Sequence, residues 1–184
     1  MIIPRITKPY EPGLPALGDD LENYLVVAGG SVTLKLEPGD KFKIINLEGL
    51  QQAELVAFNS KGECSLSPLS LKSEHKGELT KKILTSNEES AQIAYSKLKR
   101  LGHDVNSINQ SVLVFSKEAE ANSIEEFSSN DSSICIISAP GEFEITHENI
   151  PASELRVIVQ RLRKREEGEF LLPDPLMDPV EEIF

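Results

Sequence analysis

The stretch that most constrains the fold is residues 31–59, where three short runs of residues suited to strands are separated by turns. In the first run Val32, Leu34 and Leu36 alternate with polar residues, which is the period of a half-buried strand. A turn follows at Pro38-Gly39-Asp40, because proline presets φ and glycine accepts a positive φ. We therefore predict three consecutive strands that form a β-meander core.

The second and third runs carry polar residues that are candidates for a pocket. The second run, residues 42–47, contains Asn46, and Gln51 stands just before the third run, residues 52–58, which contains Glu54. The third run places Ala53, Leu55 and Ala57 on one face of a strand and Glu54, Val56 and Phe58 on the other. A polar side chain in or beside a strand is able to line a cavity, so we take Asn46, Gln51 and Glu54 as pocket candidates. The alternative is a core that contains no site.

Other segments complete a β-rich pattern. We predict strands at residues 112–115, 134–137 and 154–162, a strand or a helical turn at 21–28, a loop or edge strand within 63–85, and a helical turn at 122–127. The apolar runs are short, and Gly, Pro, Ser and Asn separate them.

Residues 86–101 have the pattern of an amphipathic helix. Ser86 and Glu89 have the spacing of a capping box, and Gly102 suits the position just after a helix. An apolar stripe runs along one side and consists of Ala91, Ala94, Leu98 and Leu101. We therefore predict a mainly β fold, a β-sandwich or a distorted barrel, with one amphipathic helix at about 86–101.

Proline content divides the chain into three parts. Residues 1–18 contain four prolines and are expected to form an extended arm. We expect residues 19–165 to form a single β-rich domain. Residues 166–184 are acidic and proline-rich, which is the composition of a linker. We expect this linker to lead into a further domain.

Charge and cysteine content limit the partners. The net charge of −11 argues against nucleic acids and anionic membranes as partners, since both require a basic surface. Cys64 and Cys135 lack a metal-binding or redox spacing and are interpreted as reduced thiols. The beginning of the sequence has no apolar run of a signal peptide, and no run approaches the roughly 20 apolar residues of a spanning helix. We expect a cytoplasmic protein.

Segment 142–148 contains one histidine and three glutamates and is a candidate metal site. His147 lies near Glu142, Glu144 and Glu148, and these residue types are metal ligands. A His-Glu pair without a second histidine at helical spacing does not define a site, so we predict no metal. We also predict no catalytic residue, and His147 joins the pocket candidates.

The stretch from Ser31 to Asn59 resembles the opening of the urea-carboxylase-associated family. The matching elements are Val32–Leu36, Gly39, Ile44-Ile45-Asn46, Gly49, Gln51 or Gln52, Glu54 and Leu55–Asn59. A related arrangement precedes the folate-dependent domain of long bacterial aminomethyltransferase-like proteins, which are similar to the glycine cleavage T-protein. Residues 138–141, 151–161 and 172–183 are similar to the end of that leading domain.

The resemblance implies a β-rich fold, and some members of the family act on small carboxylated nitrogen compounds. This chain departs from the pattern, because Asn46 and Glu54 stand where aspartate is usual, and later Asp-Thr-x-Gly and cysteine-rich stretches have no equivalent. We therefore expect a non-catalytic N-terminal accessory domain of an aminomethyltransferase-like transferase of one-carbon metabolism. The resemblance implies no cofactor in this chain, tetrahydrofolate in the parent protein, and the downstream domain of the same polypeptide as partner.

Two other hypotheses remain open at this point. In the first, the chain is a stand-alone small-molecule enzyme or sensor of the urea-carboxylase-associated type, in which Asn46, Gln51, Glu54 and His147 converge on one pocket. In the second, it is an oligomerisation module whose proline-rich arm crosses to a second copy, which would make the protein a homo-oligomer.

Overall fold

The computed structural model describes residues 20–140 and 153–162. Its strands are β1 (Leu21–Val26), β2 (Ser31–Leu36), β3 (Lys41–Asn46), β4 (Ala53–Phe58), β5 (Val112–Val114), β6 (Ser123–Ser128), β7 (Ser133–Ser138) and β8 (Leu155–Gln160). Its helices are α1 (Glu78–Leu84) and α2 (Glu89–Arg100), and single 3-10 turns lie at Ser67–Leu69 and Val105–Ser107.

The strands form two antiparallel four-stranded sheets that pack face to face. Sheet A has the order β1-β8-β3-β6, and sheet B has the order β2-β7-β4-β5. The core between them is built from buried aliphatic residues of both sheets, including Leu34, Ile44, Leu55, Ile137 and Val157. The prediction of a mainly β fold is confirmed, and the fold is a β-sandwich.

A helical layer covers the outer face of sheet B. Both helices contact β2, and α1 also contacts β4 and β7. Val56 and Phe58 of β4 pack with Leu84 of α1 and with Ala94 and Leu98 of α2. All six residues of β4 are buried, because one side faces sheet A and the other faces the helices. The predicted division of the faces of β4 is confirmed.

The predicted β-meander is wrong, although its three strands are present. Strand β2 pairs with β7, β3 pairs with β6 and β8, and β4 pairs with β5 and β7. The turn at residues 38–40 carries the chain from sheet B to sheet A, so β2 and β3 are consecutive strands that belong to different layers. The local alternation of residues predicts each strand but contains no information about its partner.

The helical predictions need three corrections. Helix α1 lies where a loop or edge strand was predicted, so the fold has two α-helices and not one. Residues 123–128 form β6 instead of a helical turn, because they pair along the whole length of β3. The predicted capping box does not form, since the N-cap of α2 is Glu88 and the Ser86 hydroxyl accepts from the Glu88 amide at 3.3 Å.

The end of α2 agrees with the prediction. Gly102 has a φ of +86° and its amide donates to Lys99 O at 3.0 Å, while the His103 amide donates to Leu98 O at 3.2 Å. These two bonds form a Schellman motif, which satisfies carbonyls at the helix end. The predicted arm 1–18 and linker 166–184 lie outside the described residues. Those boundaries stay predictions.

Arg161, directly after β8, ties both sheets together. Its Nη2 lies 2.7 Å from Oε2 of Glu22 in β1, and its Nη1 lies 2.7 Å from Oδ2 of Asp40 in the turn between β2 and β3. Nη1 also donates to Lys35 O at 2.7 Å. The two carboxylates raise the pKa of Arg161 against the opposing effect of burial. The guanidinium therefore connects the edge strand of sheet A with the turn that leaves sheet B.

Both cysteines are buried free thiols. Burial raises the pKa of the Cys135 thiol. No helix among the described residues is long and apolar enough to cross a membrane.

We expect Arg161→Lys to destabilise the fold. A lysine ammonium cannot bind both oxygens of Glu22 in a fork and reach Asp40 at the same time. Hydrogen bonds to charged groups contribute about 1.5–3 kcal/mol each, so we expect a loss of about 2 kcal/mol in the free energy of unfolding, measured with urea. The control is Arg100→Lys on the exposed end of α2, which we expect to change this free energy by less than about 0.5 kcal/mol. Equal effects of both variants would contradict the role of Arg161.

A second prediction compares two glycines that both have a positive φ. A Cβ at Gly49 would lie 2.7 Å from Ala119 O and Ala121 N, whereas a Cβ at Gly102 would have nothing within 4 Å. We expect Gly102→Ala to cost about 1–2 kcal/mol from backbone strain alone. Gly49→Ala adds an overpacking cost of about 1–3 kcal/mol, because the obstructing atoms belong to backbone. Urea unfolding of the two variants measures the difference, and an equal loss would refute the close approach at Gly49.

Candidate functional site

Asn46, at the end of β3, organises the loop that follows it. Its side chain is fully buried, its Nδ2 donates to Gln51 O at 2.7 Å, and its Oδ1 accepts from the Gly49 amide at 3.0 Å. Both ends of the amide are thus used within five residues of the chain. Asn46 closes the loop between β3 and β4.

Gln51 connects this loop to the segment before β8. Its Oε1 accepts from the Ser153 amide at 2.9 Å, and its Nε2 donates to Gln52 O. Gln51 and Ser153 are both buried, so the bond joins two segments 102 residues apart. Gln51 therefore fixes where the chain enters β8.

Glu54 performs a different task on the side of sheet B that faces the helices. Its Oε1 accepts from the Ser111 hydroxyl at 2.8 Å, and its Oε2 accepts from the Thr80 amide in the first turn of α1 at 2.5 Å. The Ser111 hydroxyl in turn accepts from the Gly77 amide at 2.9 Å. Amides at the start of a helix lack partners within the helix, and a carboxylate is favoured there. Glu54 therefore caps α1 from a neighbouring strand.

The structure brings together only part of the predicted pocket. Asn46 and Gln51 are joined by a hydrogen bond at one end of the sandwich. Glu54 points to the helical layer and binds Ser111 and Thr80. His147 lies outside the described residues, so convergence of all four side chains stays a prediction.

Backbone strain is concentrated at the same end of the sandwich as Asn46. Leu50, Phe115 and Asn122 have φ values of 59°, 69° and 63°, a region that costs residues other than glycine about 1–3 kcal/mol. Their loops touch, since the Leu50 amide donates to Ala119 O at 2.8 Å and the Asn122 amide donates to Asn46 O at 2.6 Å. The sequence analysis missed this feature, because leucine and phenylalanine do not indicate a positive φ.

Two features bear on metal and acid–base chemistry. Among residues 20–140 and 153–162 no group of three or more His, Cys, Asp or Glu side chains is placed to hold a metal ion. Since residues 142–148 are not described, the predicted absence of a metal stays a prediction. The ring of His103 packs against Phe58 with centroids 4.5 Å apart and the ring planes tilted by 31°, and burial lowers the pKa of His103. His103 thus packs on the core cluster beneath the helices.

A shallow depression of about 570 Å³ lies on the outer face of sheet A. It lies over β1, β3, β6 and β8, and its lining includes Leu21, Lys41, Lys43, Glu126, Ile158 and Gln160. Of the predicted pocket residues that the structure describes, Asn46, Gln51 and Glu54, none lines it. The mixture of lysines and aliphatic side chains suits a surface contact with an acidic and apolar partner.

Comparison with known proteins places the chain within the length of a larger enzyme. No family model matches it. It is 30% identical over 189 residues to a protein of Ruegeria pomeroyi named trimethylamine-oxide aldolase, and the alignment covers 99% of this chain and 23% of that protein. The chain therefore spans about a quarter of the length of that relative. A crystal structure of a DUF1989 family protein from Silicibacter pomeroyi DSS-3 matches 88% of this chain and 89% of its own length, with 13% identity and a TM-score of 0.49.

We expect Glu54→Gln to destabilise the protein. The glutamine amide nitrogen would face either the Thr80 amide or the Ser111 hydroxyl, and both of these groups donate to the carboxylate. A buried donor left without an acceptor costs about 1–3 kcal/mol, which urea unfolding would detect. The matched control is Glu63→Gln, because Glu63 is exposed and its carboxylate accepts from the half-buried side chain of Asn59. A smaller loss for Glu54→Gln than for Glu63→Gln would exclude the capping role.

Proposed function

We propose that this chain is a non-catalytic N-terminal accessory domain of a larger enzyme. The main support for the proposal is the coverage of the alignment, which includes 99% of this chain but only 23% of trimethylamine-oxide aldolase. A segment of that size corresponds to one domain and leaves most of the relative's length for other tasks.

The contacts of the polar candidates support a structural role. Asn46 closes a loop, Gln51 holds the entry to β8, and Glu54 caps α1. A catalytic group has to present its reactive atoms to a substrate, whereas these side chains direct theirs to the protein backbone or to Ser111. Their burial and their hydrogen bonds are those of residues that maintain a fold.

We also propose an identity for the parent enzyme, the larger protein that contains this domain. The parent would be an aminomethyltransferase-like transferase in the cytoplasm, whose downstream domain binds tetrahydrofolate and carries out the chemistry. The name of the relative adds trimethylamine oxide as the first substrate to test. The task of this domain would be to hold the downstream domain in place. In support, Arg161 and Leu162 are bound to Asp40, so the segment that leads from β8 towards a downstream domain starts from a fixed point at residue 162.

The proposal is tested by assaying the 184-residue chain alone. We expect no conversion of trimethylamine oxide and no heat of binding with tetrahydrofolate in a calorimetric titration. The Ruegeria pomeroyi enzyme in the same assay provides a positive control for trimethylamine oxide. Turnover or folate binding by the isolated chain would overturn the proposal.

The gene provides a second and independent test. We expect the native reading frame that contains this chain to continue downstream into a further domain. A frame that ends near Phe184 would instead favour the stand-alone enzyme or sensor. Asn46, Gln51 and Glu54 would then be the first residues to mutate.

A further inference from the structure

The outer face of sheet A is a surface of mixed aliphatic and basic character. Three rows of side chains cross the four strands on this face, as the register of the strand pairs shows. The rows are Leu21-Gln160-Lys41-Ser128, Asn23-Ile158-Lys43-Glu126 and Leu25-Arg156-Ile45-Ile124. We call these twelve residues the outer face of sheet A.

This face differs in charge from the chain as a whole. Apart from Arg156, which already has a partner in the molecule, it holds two basic residues and one acidic residue, giving a charge of +1 (2 − 1), while the whole chain has a charge of −11. Its aliphatic side chains are also accessible, since Leu25 is 45% exposed and Ile124 is 49% exposed. Several large aliphatic residues clustered on one face and bordered by charges are typical of an interaction site.

We propose that residues 166–184 of the same chain dock on the outer face of sheet A. This segment has the sequence EEGEFLLPDPLMDPVEEIF and contains seven acidic residues, no basic residue and eight large apolar residues. Its acidic side chains complement Lys41 and Lys43. Its apolar side chains would cover Leu25, Ile45, Ile124 and Ile158, which removes apolar surface from water.

The segment is long enough to reach the face. Strand β8 lies in the interior of sheet A and ends at Gln160, which is itself one of the outer-face residues. Nineteen extended residues span up to about 60 Å. A sheet of four six-residue strands measures only about 15–20 Å in each direction. Residues 166–184 are therefore long enough to cross the face more than once.

Charge favours this segment over two other possible occupants of the outer face of sheet A. Residues 1–19 contain two acidic and two basic residues, so they offer no net complement to a basic face. A symmetric contact between two copies would place two positively charged faces against each other, and like charges disfavour such a contact. The acidic segment 166–184 matches both the charge and the apolar character of the face.

The test measures where the segment lies in the full chain. A nitroxide is attached to Met177→Cys, and the treated wild-type chain shows whether Cys64 and Cys135 remain unlabelled, as their burial predicts. We expect broadening of the amide NMR resonances of β3 and β8, and sharp resonances for α2 on the opposite side of the molecule. Uniform broadening, or broadening centred on α2, would refute the proposal.

Charge reversals give a matched comparison. We expect Lys41→Glu with Lys43→Glu to abolish the broadening, and Lys61→Glu with Lys72→Glu, at exposed loop positions, to retain it. Neutralising the segment itself with Asp178→Asn, Glu181→Gln and Glu182→Gln leaves the described domain unaltered and should weaken the broadening. Unchanged broadening in this variant and in the Lys41/Lys43 variant would exclude recognition by charge.

A mixing experiment separates docking within one chain from docking between copies. Spin-labelled chains at natural isotope abundance are mixed with unlabelled chains that contain ¹⁵N. We expect the resonances of the ¹⁵N chains to stay sharp, because the segment is held by its own domain. Broadening of β3 and β8 in the mixture would identify a second copy as the occupant and overturn the proposal.

Discussion

The carboxylate of Asp40 joins parts of the chain that belong to different sheets. It accepts from the Glu37 amide just after β2 at 3.0 Å, from Arg161 at 2.7 Å and from the Leu162 amide after β8 at 3.0 Å. Asp40 is 3% exposed, so these bonds form where water competes little for them. Because β2 lies in sheet B while β3 and β8 lie in sheet A, this one side chain sets how the two sheets meet.

Sheet B is covered on both sides, and this explains the chemistry of its strands. Strand β7 is buried along its whole length and consists of Ile, Cys and Ser residues, with Ser31 and Ser138 hydroxyls bonded across β2 and β7 at 2.7 Å. Glu54 is the charged residue of β4, and its burial is tolerated because the Thr80 amide at the start of α1 donates to one carboxylate oxygen and the Ser111 hydroxyl donates to the other. The polar residues of this sheet thus hold the helices on it, which is the property expected of a scaffold.

The sequence predicted the strands better than their arrangement, for a physical reason. The alternation in β2 and β4 is a local consequence of which side chains face the core, so it is visible in the sequence. The partners of β3 are 77–87 positions away in β6 and 109–119 positions away in β8, and no local pattern specifies them. Helix α1 was not predicted, because its cap comes from Glu54, which lies 26 residues before Thr80 in the sequence. Asn46, Gln51 and Glu54 were recognised as unusual polar residues, but their hydrogen-bond partners depend on the folded structure.

The position of β8 has a consequence for the way the chain reaches its folded state. This strand comes last among the described strands, yet it fills the gap between β1 and β3 in sheet A. During synthesis on a ribosome, the edges of β1 and β3 that pair with β8 therefore lack this strand until residue 160 has emerged. Such long-range closure slows folding and leaves strand edges open in the meantime. The nascent chain would thus depend on protection from aggregation until β8 is synthesised. Synthesis of any following domain begins after that point.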